Sequence, residues 1–158
     1  MIKLIAVGKI KEKSLETLIE MYFKRIKPYT KIEIKEVKDF SNFKETNVAL
    51  NEEVKEKEAT EILKHISDRD VVVLIDLHGK EMDSIQFANH LDKMLAESSK
   101  DICYVIAGSL GFGKQIIARS NYRICLGKLT YPHQIVRMLV LEQLYRSFKI
   151  LKNEAYHK

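Results

Sequence analysis

Apolar positions follow two rhythms along the chain, unbroken short runs and stripes three or four residues apart, and the two take turns. Lys3 to Val7 is an apolar run closed by Gly8, which predicts a short buried strand. A loop carrying Lys9, Lys11 and Lys13 follows. Leu15, Leu18, Ile19, Tyr22 and Ile26 then recur at helical spacing, with Ser14 as the expected N-cap and Pro28 as the stop. Ile32 and Ile34 alternate with charged residues, as in a half-exposed strand, and Phe40 to Asn47 reads as a loop. A charged helix is expected from about Asn51 to Ile66, with Ala59, Ile62, Leu63 and Ile66 facing inward, until Asp68-Arg69-Asp70 breaks it.

The second half repeats the alternation. Val71 to Leu77 is continuous and rich in β-branched residues, which fits a central parallel strand covered on both faces. His78-Gly79 should turn the chain, and Asp83 or Ser84 should cap a helix whose core stripe is Phe87, Ala88, Leu91, Met94 and Leu95. Ile102 to Ala107 is a further central strand, Ile116 to Ala118 a short helix, and Tyr122 to Leu126 another strand. Pro132 suits the first turn of a long final helix, where no amide donor is needed. Strands alternating with helices predict an α/β fold, a mainly parallel sheet flanked by helices, in one domain over residues 1–158.

Composition adds little until it is divided along the chain. The apolar fraction of 46% and charged fraction of 31% are those of a soluble globular domain, and 158 residues suffice for one core. No run is long and apolar enough to span a membrane, and the N-terminus lacks the pattern of a secretory signal. Cys103 and Cys125 lie inside strand-like runs, as buried thiols of a cytosolic protein do, and form no zinc site. The net charge of +5 hides a segregation: residues 1–38 carry +5, residues 39–101 carry −7 and residues 102–158 carry +7. A basic C-terminal third suits an anionic partner such as nucleic acid, or else a charged, solvated face.

The candidate chemistry sits in that basic third, where two strands each end in a glycine-bearing loop that opens into a helix. Open α/β sheets bind ligands at such places. Gly108 to Gln115 nearly spells a phosphate-binding P-loop, with Val71–Asp76 as the strand bearing a metal aspartate. Gln115 stands where a hydroxyl must reach the metal, however, and the aspartate strand precedes the loop instead of following it. The spacing of Gly108, Gly111 and Gly113 is also wrong for a dinucleotide fingerprint. Two readings stay open from pattern alone. Either the glycines serve turns, or backbone at the ends of Val71–Leu77, Ile102–Ala107 and Tyr122–Leu126 converges on a flat base and a short amino-acid moiety.

Several local motifs then coincide: Ile106 to Gly111 (IAGSLG), Ser120-Asn121-Tyr122, Leu129 to Gln134 (LTYPHQ), Arg137, Glu142 to Arg146 (EQLYR) and the closing Ala155-Tyr156-His157-Lys158. Together, from Ala6-Val7-Gly8 to the tail, they resemble the bacterial ribosomal RNA large-subunit methyltransferase H family, which methylates N3 of a pseudouridine in helix 69 of 23S rRNA. The resemblance implies a SPOUT methyltransferase fold with a C-terminal trefoil knot, a rare exception to ordinary chain paths. It implies S-adenosylmethionine as methyl donor, no metal, a cytoplasmic location, and a homodimer whose active site is completed across the interface. Carried over by position, the donor pocket is Ile75, Ala107, Gly108, Leu126, Gly127, Lys128, Leu129, Thr130 and Tyr131. Ile75 stands where the family commonly has leucine, and Ala107 where it commonly has the first glycine of a pair.

The same resemblance gives Arg146, Tyr156 and His157 catalytic roles. N3 of pseudouridine lies between two carbonyls, and methylation needs its proton removed or the resulting anion stabilised. Arg146 would hold that charge on a carbonyl or grip a phosphate. Tyr156 would stack on or hydrogen-bond the base, and His157 would act as base or orienting donor. His133 would shape the donor loop, and Arg137 would pair with an acid or reach RNA. The small size favours the assembled ribosome over free RNA as substrate. Two other functions remain: a non-catalytic ribosome-binding α/β module, which would bind no donor, and a P-loop enzyme, which would lose nucleotide binding when Lys114 is replaced.

Overall fold

The computed structural model describes residues 1–41, 47–97 and 100–156. Strands and helices alternate in it: β1 (Ile2–Val7), α1 (Lys13–Ile26), β2 (Ile32–Val37), α2 (Val48–Leu63), β3 (Val71–Glu81), α3 (Ser84–Glu97), β4 (Ile102–Ile106), α4 (Lys114–Arg119), β5 (Tyr122–Cys125) and α5 (His133–Leu151). The strands form one sheet in the order β2-β1-β4-β3-β5, and each recorded pairing is parallel.

Strand periodicity divides the core in two. Ile2, Leu4 and Ala6 of β1 join Tyr104 of β4 and Val73 of β3 in a cluster closed by residues of α1, α3 and α5. Ile5, Val7, Val72, Leu74, Cys103 and Val105 point to the other face and meet Ala59, Ile62 and Ile116 from α2 and α4. Successive residues of β1 and β4 therefore both reach apolar surroundings, which is why these strands read as continuous apolar runs. Lys3 is the exception. At the start of the sheet its ammonium pairs with Asp70 at 3.0 Å and Asp101 at 3.1 Å.

Several element boundaries differ from expectation, each for a local reason. The Glu12 carbonyl accepts from Glu16 N–H at 3.0 Å, so α1 starts at Lys13 and Ser14 lies inside it. Asn47 caps α2 by accepting from Ala49 N–H at 2.9 Å, so that helix begins three residues before Asn51 and ends before Ile66. Most of the expected Phe40–Asn47 loop lies outside the described residues. Asp83, not Ser84, caps α3: its carboxylate accepts from Gln86 N–H at 2.7 Å while Gln86 Oε1 accepts from Asp83 N–H at 3.0 Å, a reciprocal capping box. Pro132 is the residue before α5, its carbonyl accepting from Val136 N–H at 3.1 Å.

The expected turn at His78-Gly79 is a bulge. Ile75 and Lys80 both stand opposite Ile124, and β3 goes on to pair Glu81 with Cys125. Asp76 forms the bend by accepting from His78 N–H at 3.1 Å. Gly79 then passes so close to β5 that a Cβ there would lie 2.6 Å from the Arg123 carbonyl carbon and Ile124 nitrogen. Only glycine fits that crossing.

Candidate donor cleft and tail cluster

The C-terminal ends of β3, β4 and β5 open into one cleft of about 810 Å³, within the size range of small-molecule sites. Its walls are the β3 bulge, the loop from Ala107 to Phe112, and the loop from Leu126 to the start of α5. Of the nine residues expected to hold a donor, Ile75, Ala107, Gly108, Leu126, Gly127, Leu129, Thr130 and Tyr131 line it. Lys128 is exposed and is not among the lining residues, because the loop directs it outward.

Both loops are held from behind, so their inner backbone is presented to the cleft. Gly127 adopts φ +122°, and the Cys125 thiol donates to its carbonyl at 2.9 Å. On the other wall the Gly108 carbonyl accepts from Gly111 N–H at 3.2 Å. Farther along, a Cβ on Gly113 would sit 2.6 Å from the Lys55 carbonyl oxygen, so α2 and the loop are in direct backbone contact. The Glu56 carboxylate accepts from Lys114 N–H and, at 3.4 Å, from Gln115 N–H. This contact decides against the P-loop reading. The amides that would cradle a phosphate already hold a carboxylate, and Lys114 is exposed outside the cleft lining.

The charged side chains of the lining are paired. Arg123 donates Nε–H to Asp76 at 2.8 Å with a second contact from its terminal nitrogen at 2.5 Å, and Lys55 pairs with Glu52. His133 also lines the cleft; burial keeps it below its ordinary pKa despite nearby Asp39, so it is neutral at pH 7. Arg137 turns away from any RNA. It is 1% exposed, pairs with Glu36 and donates to the Gly8 carbonyl at 2.9 Å. Among the described residues no cluster of acids, histidines or cysteines could hold a metal ion, and no helix is long and apolar enough to cross a membrane.

Arg146 and Tyr156 lie together but away from the cleft. Glu142, one turn before Arg146, accepts its Nε–H at 3.0 Å and a terminal N–H at 2.6 Å, and accepts the Tyr156 hydroxyl at 3.2 Å. The guanidinium stacks 4.7 Å from the Tyr156 ring centroid, and Tyr145 meets the same ring edge-on at 4.9 Å. Burial, followed by Tyr22 and Glu142, pushes the Tyr156 phenol well above its usual range, so it stays protonated. The tail reaches this position by a left-handed turn at Asn153 (φ 53°), with Glu154 held by Lys149 and by the Tyr29 hydroxyl at 2.8 Å. His157 lies outside the described residues. At 1.5 Å per residue, the thirteen steps from His133 to Arg146 along α5 span roughly 20 Å. One chain therefore presents a cleft at one end of α5 and a cation–tyrosine cluster at the other.

Sequence reasoning gave no role to Glu56, Glu58, the Asp76–Arg123 pair or Glu142, the last quoted only as part of a motif. For Glu58 a signal existed: it stands four residues before Ile62 and beside Ala59, inside the inward stripe of α2. The positive C-terminal third is also less available than its count suggests. Arg119 is bound to the carbonyls of Ser67 and Asp70, and Arg123, Arg137, Arg146 and Lys149 each hold a carboxylate.

Comparison with known proteins agrees with this geometry. The family model described as "Predicted SPOUT methyltransferase" matches residues 1–157. A Clostridium beijerinckii protein named ribosomal RNA large subunit methyltransferase H is 43% identical over 157 residues, 99% of both chains. A Clostridium botulinum protein of the same name is 45% identical over 159 residues, again 99% of each. Among solved structures, a probable methylase family protein from Haemophilus influenzae aligns with a TM-score of 0.53 at 13% identity, covering 99% of this chain and 70% of that one, which is a likeness of fold.

Proposed function

The chain belongs to the SPOUT methyltransferase family, and from that premise we propose that it methylates N3 of a pseudouridine in helix 69 of 23S rRNA, with S-adenosylmethionine as donor. The observation that carries the reading is the cleft at the strand ends, lined by eight of the nine residues expected to hold the donor. Full-length similarity to proteins named ribosomal RNA large subunit methyltransferase H supports the RNA substrate.

The cleft suits the donor by its own features. Gly111 and Gly127 have left-handed backbones with open space where a Cβ would stand, so main chain can approach a flat ligand on both sides. Leu126, Leu129 and Ile75 supply apolar surface. When bound there, the donor supplies an electrophilic methyl group on a positive sulfur. The protein's part is to exclude water, orient the base and stabilise charge.

Arg146 is the residue fitted to that last task. Glu142 fixes the guanidinium plane, and the stacked Tyr156 ring holds it from the side. A planar cation so held can receive negative charge developing on a uracil carbonyl as N3 loses its proton. The protonated Tyr156 phenol is suited to donate a hydrogen bond or stack on the base, not to abstract a proton. His157, next in the chain, is the residue left for that role.

Since the cleft and this cluster stand at opposite ends of α5, the complete site needs a second copy of the chain. Ile85, Leu129, Tyr131 and Ile135 are exposed apolar residues in the α3, loop and α5 segments around the cleft, and such surface is consistent with a homodimer. The C-terminal segment is, on this reading, threaded as a trefoil knot. The same reading makes the enzyme cytoplasmic and its substrate the assembled ribosome.

The test is transfer of labelled methyl from S-adenosylmethionine to ribosomes lacking the modification, with wild-type protein and the Arg146→Ala and Tyr156→Phe variants. Label on N3 of one helix 69 pseudouridine, lost in the variants, is expected. Ribosome binding with no label would replace this reading by the non-catalytic module, and equal activity on naked 23S rRNA would remove the requirement for the assembled ribosome.

A further inference from the structure

Glu58 is a buried acid that no part of the mechanism above uses. It is 3% exposed, on the face of α2 that packs beneath the glycine loop. Its Oε1 accepts from Phe40 N–H at 3.1 Å. Its Oε2 lies 3.0 Å from the point a Cβ on Gly108 would occupy, and Gly108 lines the cleft. The carboxyl is thus one backbone thickness from the ligand space, and a side chain at residue 108 would crowd against it.

Among the described residues no cation pairs with it. The recorded ion pairs leave Glu58 out, and the group that most directly acts on it is another acid, Asp39, on the loop after β2. Asp39 is itself tied to Ser41, by N–H at 2.8 Å and hydroxyl at 2.5 Å. From α5, neutral His133 faces Gly8 and Asp39, and Arg137 is committed to Glu36 and Gly8. Of the cations on the cleft lining, Lys55 is paired with Glu52 and Arg123 with Asp76. Among the described residues, then, Glu58 is a carboxyl without a cationic partner, set behind the cleft wall at Gly108. Burial, opposed by the Phe40 amide and reinforced by Asp39, brings its pKa to about 7.

A sulfonium offers no hydrogen-bond donor or acceptor, so a protein tells it from a neutral thioether by charge. We propose that Glu58, standing behind Gly108, is a positioning residue that recognises the positive charge of the donor across the cleft wall and so separates charged donor from the neutral product left after transfer. The proposal rests on the donor assignment above. Binding of the cationic donor to protonated Glu58 gives the bound carboxylate and one proton released to solvent; binding of the neutral product leaves the proton in place.

The sign follows from linkage. A cation in the cleft lowers the pKa of Glu58, so donor affinity rises as pH passes upward through about 7, and product affinity does not. A fall of one unit corresponds to about tenfold in affinity between the limiting pH values, of which about fivefold falls between pH 6 and 8, with about 0.4 proton released at pH 7. His133, held below its ordinary value, contributes little change across the upper part of that range.

The experiment is calorimetry of S-adenosylmethionine and S-adenosylhomocysteine binding to the full chain, in two buffers of different ionisation enthalpy, from pH 6 to 8. Wild-type protein should release protons with the donor alone, and its donor-to-product affinity ratio should rise severalfold with pH. Glu58→Gln keeps an acceptor for the Phe40 amide and should abolish both the release and the slope, while Glu58→Asp should keep a reduced slope. Equal proton release for the two ligands in wild-type protein overturns the proposal without any variant, as does an unchanged slope in Glu58→Gln. If neither ligand binds, the donor assignment falls and takes this proposal with it; if both bind with a ratio independent of pH, only the role of Glu58 falls.

Discussion

Gly79→Ala tests the tightest crossing in the fold. The new methyl carbon would sit 2.6 Å from the Arg123 carbonyl carbon and the Ile124 nitrogen and 2.7 Å from the Ile124 carbonyl carbon. All three are backbone atoms, so no rotamer change relieves the contact. Ordinary carbon–carbon separation requires the segments to part by about 1 Å. Ile124 is also where β5 serves Ile75 and Lys80 at once, so parting there disturbs the Lys80–Ile124 and Glu81–Cys125 pairings. Overpacking costs about 1–3 kcal/mol and each disrupted ladder hydrogen bond roughly 1 kcal/mol, which together give about 3–5 kcal/mol. For a chain of this length that lowers Tm by about 10 °C. The assay is urea and thermal unfolding of the variant beside wild type. Because Leu77, His78 and Arg123 on either side line the cleft, donor affinity should fall with stability. A variant that unfolds within about 0.5 kcal/mol of wild type, the ordinary range for surface changes, would refute the tight crossing and the argument from glycine.

Three further outcomes follow from the same geometry. Glu142→Gln removes the charge that orients Arg146 and weakens the acceptor for Tyr156, so methyl transfer should fall about ten- to a hundredfold while donor affinity, measured by calorimetry, stays unchanged. Burial alone would raise the Asp70 carboxyl, but Ser67 and Lys3 outweigh it and bring it down to about 2, so its stabilisation is present above its unfolded value and lost as pH falls through the folded one. Asp70→Asn should therefore be less stable than wild type by about 2 kcal/mol at pH 7, with the gap closing toward pH 2 in urea titrations. If the active site combines one copy's cleft with another's Arg146, mixing an Arg146→Ala chain with a cleft-defective chain and allowing exchange should restore about a quarter of wild-type activity, since half the dimers are mixed and each carries one intact site. No recovery, with exchange verified by mass, would mean that both halves act within one copy.

The sheet was legible because its central strands are buried on both faces. Runs such as Val71–Leu74 and Ile102–Ile106 allow no other placement, and the helical stripe of α3 reappears with Phe87, Ala88, Leu91 and Met94 all buried. What periodicity lost were events decided by a distant segment. The bulge at residues 76–79 depends on β5 lying against Gly79, and the start of α2 depends on one Asn47 side chain. The residues lining the cleft were legible by resemblance, whereas the glycine pattern alone left turns and ligand contact both open. Lys128 was carried over with its neighbours and stands exposed, outside the cleft lining. Glu142 was read only as part of the EQLYR motif and given no role, because an i,i+4 acid–arginine pair on a helix is usually a weak surface contact. Its weight here comes from the tail returning Tyr156 onto the same oxygen.

That return is what sets this ion pair apart from an ordinary surface contact and places it in the proposed site. Through Tyr29 and Lys149, Glu154 fixes where the chain leaves α5, and Tyr156 is left over Arg146. Tyr29 belongs to an aromatic cluster in which it stacks on Phe148 at 5.3 Å and Tyr145 meets Tyr22 of α1 at 6.2 Å, and the Lys149 ammonium lies 5.5 Å from the Tyr145 ring centroid. The geometry of Arg146 therefore depends on α1 packing against α5, although nothing in α1 belongs to the proposed chemistry. The cleft depends in the same way on α2, through Glu56 and the Lys55 carbonyl at Gly113. Each half-site is thus braced by a different N-terminal helix and joined to the other only along α5. A rigid helix of that length holds the halves apart within one chain, which is the observation behind the proposal that the cleft of one copy meets the tail of another.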